Sequence, residues 1–330
     1  MARTINLAKK FNNMDRRDFM KKSMAGAGAL IATSALPAFA DDKQLVFQGR
    51  GRFERMSLSY ATVNIGLEKP FSVLHLSDSH LTSSYENENE FRKNQSLSRT
   101  RTFGGLQEDA LVCALDWAKK HVDYIVHTGD LIDYQSEANF ELVKKYFGDK
   151  MFGSLGNHEY IHRKWGDSSA NEDYKDETRE QLEKVYPFDL ELHSQVVNGV
   201  NFVTLDDVFG YVTKKQVKRF KKEVKKGLPI VLCMHVPFFT ENIWRATYRF
   251  WKTSGPMTDG AVPPQSGDYT TQQEDKTTRE FIAYLKKEPL LKCILAGHEH
   301  ISVEDQFSPT CREYLVAGGF LFHGREVMFV

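Results

Sequence analysis

Histidine and carboxylate side chains recur in five short clusters along the 330-residue chain. They are Asp78-Ser79-His80, Gly129-Asp130-Leu131-Ile132-Asp133, Gly156-Asn157-His158-Glu159, His235 within Met234-His235-Val236-Pro237, and Gly297-His298-Glu299-His300. Between them they offer Asp78, Asp130, Asn157, His80, His235, His298 and His300 as metal donors, with His158 as a further imidazole beside the asparagine. Nitrogen and oxygen donors without a thiolate suit Mn, Fe, Zn or Ni better than a purely oxygen-seeking ion. Each cluster alone has an ordinary explanation. Asp-Ser-His caps loops, Gly-Asn-His-Glu tolerates left-handed backbone in turns, and a histidine before Val-Pro is commonly a hydrogen-bonded core residue. Five clusters in one chain, all carrying donors of one kind, are read as a single metal site.

Such donors need rigid supports. Phe71 to Leu76 is an apolar run that stops just before Asp78, and Tyr124 to His127 leads into Gly129-Asp130. Pro229 to Met234 leads into His235, and Cys293 to Ala296 into Gly297-His298. Four times a segment of strand length and apolar composition delivers a polar residue just past its end. Sites in α/β folds gather at the carboxyl ends of strands.

The ordered series D-x-H, G-D-x-x-D, G-N-H-D/E, H and G-H-x-H resembles that of the calcineurin-like metallophosphoesterase superfamily, over roughly residues 70 to 320. The resemblance implies an α/β fold, a four-layer α/β/β/α sandwich of two mixed β-sheets flanked by helices, with the site at the strand ends. It implies that Asp78, His80 and His300 hold one metal ion, that Asn157, His235 and His298 hold another, and that Asp130 bridges them. The cofactors would be two divalent or trivalent ions (Mn, Fe, Zn or Ni). Two cations about 3.5–4 Å apart neutralise an anionic ester, lower the pKa of a bridging water and align it for in-line attack. A metal-bridged hydroxide would attack phosphorus, and His158 would protonate the leaving oxygen. Asp133 is expected to orient a ligand or a neighbouring strand from behind, and Glu159, next to His158, is expected to orient that ring. The implied function is a metal-dependent hydrolase of phosphate-ester small molecules, monoesters or diesters. Purple acid phosphatases are disfavoured, since they carry Tyr at the position of Asp133. The alternative is a catalytically inactive exported binding protein that keeps the fold; loss of a ligand or of His158 would suggest it, and all are present.

The N-terminus carries a second signal. Arg16-Arg17-Asp18-Phe19 precedes the mild apolar stretch Met24 to Leu36 and the small-x-small sequence Ala38-Phe39-Ala40. This pattern reads as a signal peptide over residues 1–40, and the paired arginines resemble a twin-arginine (Tat) signal. The stretch is too short to span a bilayer as a helix of about 20 residues. The expected partner is therefore the twin-arginine export machinery, the expected location periplasmic or extracellular, and no transmembrane anchor is expected after cleavage. Beyond residue 40 the chain holds 37 basic and 42 acidic side chains, a net of −5, which argues against bulk nucleic-acid binding.

Residues 41–70 read as an N-terminal linker and edge strand, and 71–330 as one domain with insertions at 83–104 and 238–272. The first insertion holds Arg92, Lys93, Arg99 and Arg101; it reads as a polar loop, either contacting phosphate or solvated. The second carries Trp244, Arg245, Arg249 and Trp251, which suit stacking on a planar group beside a phosphate or a helical cap on the sheet edge. Helices are expected over Leu106–His121, Glu137–Tyr146, Glu177–Val185, Thr213–Lys226 and Lys276–Lys287. A hairpin turns at Asn198-Gly199. The strongly basic 213–226 helix reads as a solvated face. Of the histidines outside the donor positions, His162 and His323 lie nearest the clusters. Among the four cysteines only Cys293 and Cys311 are candidates for a disulfide.

Overall fold

Strands buried on both faces must be apolar on both faces, and the central strands here divide their side chains between two cores. In β2 (Phe71–Leu76), Phe71 and Val73 face one core while Leu74 and Leu76 face another. In β7 (Ile230–Cys233), Val231 and Cys233 share the core of Phe71, and Ile230 and Leu232 turn to a third. The shared core therefore lies between two sheets packed face to face, with the Phe202 ring at its centre meeting Phe71, Phe152 and Phe329, and Phe71 stacked on Phe329.

The computed structural model describes residues 45, 51, 53–148, 150–162, 172–251 and 275–330. The expected signal peptide (1–40), the 41–50 linker apart from Leu45, residues 163–171 and the 252–272 part of the second insertion lie outside the described residues.

The first sheet joins β2 to β1 (Ser57–Val63), β3 (Tyr124–Thr128), β4 (Met151–Ser154) and β11 (His323–Phe329), in the order β1-β11-β2-β3-β4. The second joins β7 to β5 (Leu192–Val197), β6 (Val200–Leu205), β8 (Leu291–Ala296), β9 (Val303–Ser308) and β10 (Cys311–Leu315), in the order β5-β6-β7-β8-β10-β9. Both sheets are mixed: β2, β3 and β4 run parallel, as do β6, β7, β8 and β10, with antiparallel partners at β11, β5 and β9. Helices α2 (Gln107–His121) and α3 (Glu137–Tyr146) cover the first sheet through Leu111, Ala114, Leu142 and Val143. Helices α5 (Lys214–Val224) and α7 (Lys276–Leu285) cover the second through Phe220, Phe281 and Leu285. The result is the expected α/β/β/α sandwich. Helix α4 (Glu172–Glu183) begins before the expected start at Glu177. The hairpin turns at Asn198 (φ 49°) and Gly199 (φ 83°), the positive pair that a type I′ turn requires.

The first insertion departs from expectation. Most of residues 83–104, read as a loop, is helical: Glu90–Thr102 form α1, capped by the Asn89 side chain on the Arg92 amide. The mean composition is so polar that no apolar stripe signals the helix; its buried face consists of Gln95, Ser96, Arg99 and Thr100. The described part of the second insertion is also helical, α6 (Glu241–Trp251). All four cysteines are buried free thiols, so Cys293 and Cys311 are not bridged. Among the described residues no helix is long and apolar enough to cross a membrane.

Candidate metal centre

Five parallel strands point their carboxyl ends at one place. Beyond β2 lie Asp78 and His80, beyond β3 Asp130, beyond β4 Asn157 and His158, beyond β7 His235, and beyond β8 His298 and His300. The loops past β2 and β3 keep pairing after the strands end: Asp78 N–H donates to Gly129 O at 2.9 Å and His80 N–H to Asp130 O at 2.9 Å. Those bonds hold backbone that is locally unfavourable. Asp78 (φ 54°), His80 (φ 47°), Asp130 (φ 55°), His298 (φ 69°) and His300 (φ 56°) all lie in the left-handed region, at a typical cost of about 1–3 kcal/mol each for a side-chain-bearing residue. The glycine before Asn157 is forced by proximity: a Cβ on Gly156 would stand 2.1 Å from Asp130 Oδ1.

All seven proposed donors and His158 come together. His80 Nε2 is 3.0 Å from His300 Nε2 and 3.7 Å from Asp130 Oδ2, and His300 Nε2 is 3.3 Å from Asp78 Oδ1. On the other side His235 Nε2 is 3.4 Å from Asp130 Oδ2 and 3.1 Å from Asn157 Oδ1, and His298 Nδ1 is 3.1 Å from the same Asn157 oxygen. Asp130 lies between the two groups.

The protonation of His235 tests whether this set fits a cation. Its Nδ1–H donates to Thr128 O at 2.7 Å. A neutral ring then directs the Nε2 lone pair at an amide oxygen and a carboxylate oxygen. Acceptors facing acceptors in a buried site repel unless a positive charge sits among them. The same surroundings favour positive charge on His235 itself: burial opposes it, but the Asp130 carboxylate outweighs burial and pushes the pKa up to about 10. Asp130 and Asp78 are both held below the ordinary carboxylate range; burial opposes their charge, and neighbouring imidazoles, His158 and His235 for the first and His300 for the second, overcome it. The donor set fits divalent or trivalent ions of the Mn, Fe, Zn and Ni kind.

Two buried carboxylates support the centre, in different ways. Asp133 accepts His158 Nδ1–H at 2.7 Å, and its Oδ1 is also 3.2 Å from His80 Nδ1. Glu159 was expected to orient His158. It instead accepts the backbone N–H groups of Asp130, Leu131, Ile132 and Gly156 at 2.7–3.1 Å, and the Tyr186 hydroxyl at 3.1 Å. It is the clamp that ties the Asp130 turn to the Asn157 turn. Behind His235, Asp207 accepts the amides of His235 and Val236 at 3.0 and 3.2 Å.

Several contributors were not assigned from the sequence. Arg99 of α1 is buried and donates to both Asp133 oxygens. Phe103 stacks on His80 at 4.0 Å and 8°, and Phe320 packs edge-on against Phe103 and His300. His127, buried below the site, meets the Ser79 hydroxyl at 2.9 Å. His162, by contrast, pairs with Glu177, and His323 opens β11. Of the four residues expected to form a substrate segment, only Trp251 contacts a donor residue, edge-on to His300 at 5.5 Å with Nε1–H on Glu299 O. Arg245 is spent on Glu241, Trp244 stacks on Tyr248, and Arg249 is exposed.

Replacing Glu159 with Ala removes the acceptor of four buried N–H groups and a phenol. At about 1–3 kcal/mol for each group left unsatisfied, Glu159→Ala is expected to cost about 3 kcal/mol or more in denaturant unfolding, and Glu159→Gln distinctly less. A loss under about 1 kcal/mol for the alanine variant would mean that these groups find other acceptors and that Glu159 is no clamp.

Solved structures similar to this chain include a dimetal phosphatase from Danio rerio, 12% identical over 76% of this chain and 88% of that one, with a TM-score of 0.42. They also include a 5′-nucleotidase described as putative from Staphylococcus aureus (12% identity, 76% and 49% of the two chains, TM-score 0.40) and a purple acid phosphatase from yellow lupin (12%, 77% and 45%, TM-score 0.45). This chain thus spans about half the length of the latter two. No curated protein matches it. The family model for the calcineurin-like phosphoesterases matches residues 71–302, from the first residue of β2 to just past His300 and so across every donor described above. The chain belongs to the calcineurin-like phosphoesterase family and is a metal-dependent phosphoesterase.

Proposed function

We propose that the protein is a binuclear phosphoric ester hydrolase, exported by the twin-arginine route and active in the periplasm or outside the cell. The observation that carries the binuclear reading is the double cluster of donors around Asp130. Asp78, His80 and His300 would hold one ion, Asn157, His235 and His298 the other, and Asp130 both. Two bound cations supply charge neutralisation of the ester and activation of water.

The remaining chemistry belongs to His158. Asp133 takes the Nδ1 proton, so Nε2 is the nitrogen turned to the centre, 3.8 Å from Asp130 Oδ2. Burial alone would lower its pKa, but the charges of Asp130 and Asp133 raise it above the ordinary histidine value. These carboxylates favour the protonated ring, whose Nε2 is turned to the centre. No donor and no acid is missing, which disfavours an inactive binding protein.

A panel of phosphomonoesters, diesters and pyrophosphates, assayed with Mn, Fe, Zn and Ni added to metal-stripped protein, tests this reading and separates mono- from diesterase. Turnover restored by metal is expected; none with any metal would favour the binding-protein alternative. In the active form His158→Ala should keep both metals and lose about 10²–10⁴ in rate on alkyl esters. Activated aryl esters should suffer less, because a nitrophenolate leaves without a proton. Equal losses on both would mean that His158 only binds the phosphoryl group.

Export rests on the Arg16-Arg17 motif and the Ala38-Phe39-Ala40 sequence. The exported protein should begin near Asp41 by N-terminal sequencing, and replacing Arg16 and Arg17 together with Lys should stop export. Normal export of that double variant would point to an ordinary secretory route.

A further inference from the structure

The chain between the first and second clusters supplies a buried guanidinium to the site. Helix α1 is fastened to the floor of the centre by its own polar face: Thr82 Oγ1 bonds Ser96 Oγ at 3.3 Å and Tyr134 OH at 3.1 Å. That attachment aims Arg99 inward. Nε–H donates to Asp133 Oδ2 at 2.5 Å and a terminal N–H to Oδ1 at 2.9 Å, a two-pronged ion pair in which Arg99 is buried and Asp133 wholly so. A bidentate pair fixes the plane of the carboxylate as well as its place. Oδ1, so fixed, is the atom that meets His158 Nδ1 and His80 Nδ1. One turn on, Phe103 lies flat on the His80 ring. The helix thus orients one proposed ligand and the proposed acid at once.

We propose that Arg99 is a positioning residue for the leaving-group proton: through Asp133 it sets the ring of His158 so that Nε2 faces the ester oxygen. This inference rests on the reading of His158 as the leaving-group acid. Lysine cannot replace it, since an ammonium is a point donor and cannot hold both carboxylate oxygens in one plane. Arg99 touches neither substrate nor metal in this account. Its loss should leave the metals bound and act on proton delivery.

The test uses metal-loaded protein with glycerol 2-phosphate and p-nitrophenyl phosphate as the alkyl and aryl probes. Arg99→Ala is expected to lower kcat on the alkyl ester at least about tenfold more than on the aryl ester, a part of the full general-acid effect. KM should change little, and the metal content should stay that of the parent. Added guanidinium ion should restore part of the alkyl activity, and Arg99→Lys should not. A readout independent of turnover is the downfield Nδ1–H proton resonance of His158 in Zn-loaded protein, assigned by its absence in His158→Ala. It should broaden or vanish in Arg99→Ala. Arg99→Gln, similar in length and uncharged, serves if the alanine variant does not fold. Equal losses on both esters, with no guanidinium effect and an unchanged His158 resonance, overturn the inference and leave the proposed function standing. If the parent turns over diesters only, an alkyl and an aryl phosphodiester replace the two probes; a parent protein that hydrolyses none of these esters with any metal overturns both.

Discussion

The Asp130 carboxylate faces imidazole nitrogens brought by three strands: His80 at 3.7 Å, His158 at 3.8 Å and His235 at 3.4 Å. A carboxylate this deeply buried cannot stand without positive charge beside it. The surrounding nitrogens meet that need only when protonated or when metal cations sit among them. His235 makes the demand sharpest, because Thr128 O takes its Nδ1 proton and leaves Nε2 pointed at other acceptors. The rest of the site follows from keeping this collection of lone pairs together. Glu159 gathers the amides of both turns that carry Asp130 and Asn157, Asp207 pins the backbone of His235, and Asp133 holds the far sides of His80 and His158.

The centre draws on stability elsewhere. Five of its residues adopt left-handed backbone. What holds them is the pair of sheets, whose shared aromatic core and continued pairing past β2 and β3 leave the loops little freedom. Trading stability at a site for geometry is general in enzymes. Here both sheets contribute, so separating them would divide the donors into Asp78, His80, Asp130 and Asn157 on one side and His235, His298 and His300 on the other.

Four of the five strands that carry the donors were legible because each ends within a few residues of its cluster, and a short apolar run followed by His or Asp is a local pattern; β4, only four residues long with a glycine and a serine, gives no such run. The hairpin was legible for the same reason, since Asn198-Gly199 favours positive φ at both positions. Helix α1 was not: its buried face is polar, so the 3.6-residue period of apolar side chains that marks other helices is absent. Arg99 looked like one of several surface cations. Its burial depends on Asp133, 34 residues away, a pairing no local pattern records. Glu159 was misread in direction rather than in importance: adjacency to His158 suggested contact, yet its side chain turns back to four backbone amides instead.

The most direct test of the two-ion centre is anomalous scattering from crystals of the protein loaded with Mn or Zn. The account predicts two anomalous peaks, one among Asp78, His80 and His300, the other among Asn157, His235 and His298, with Asp130 touching both. A single peak at full loading, or two peaks neither of which contacts Asp130, would contradict it.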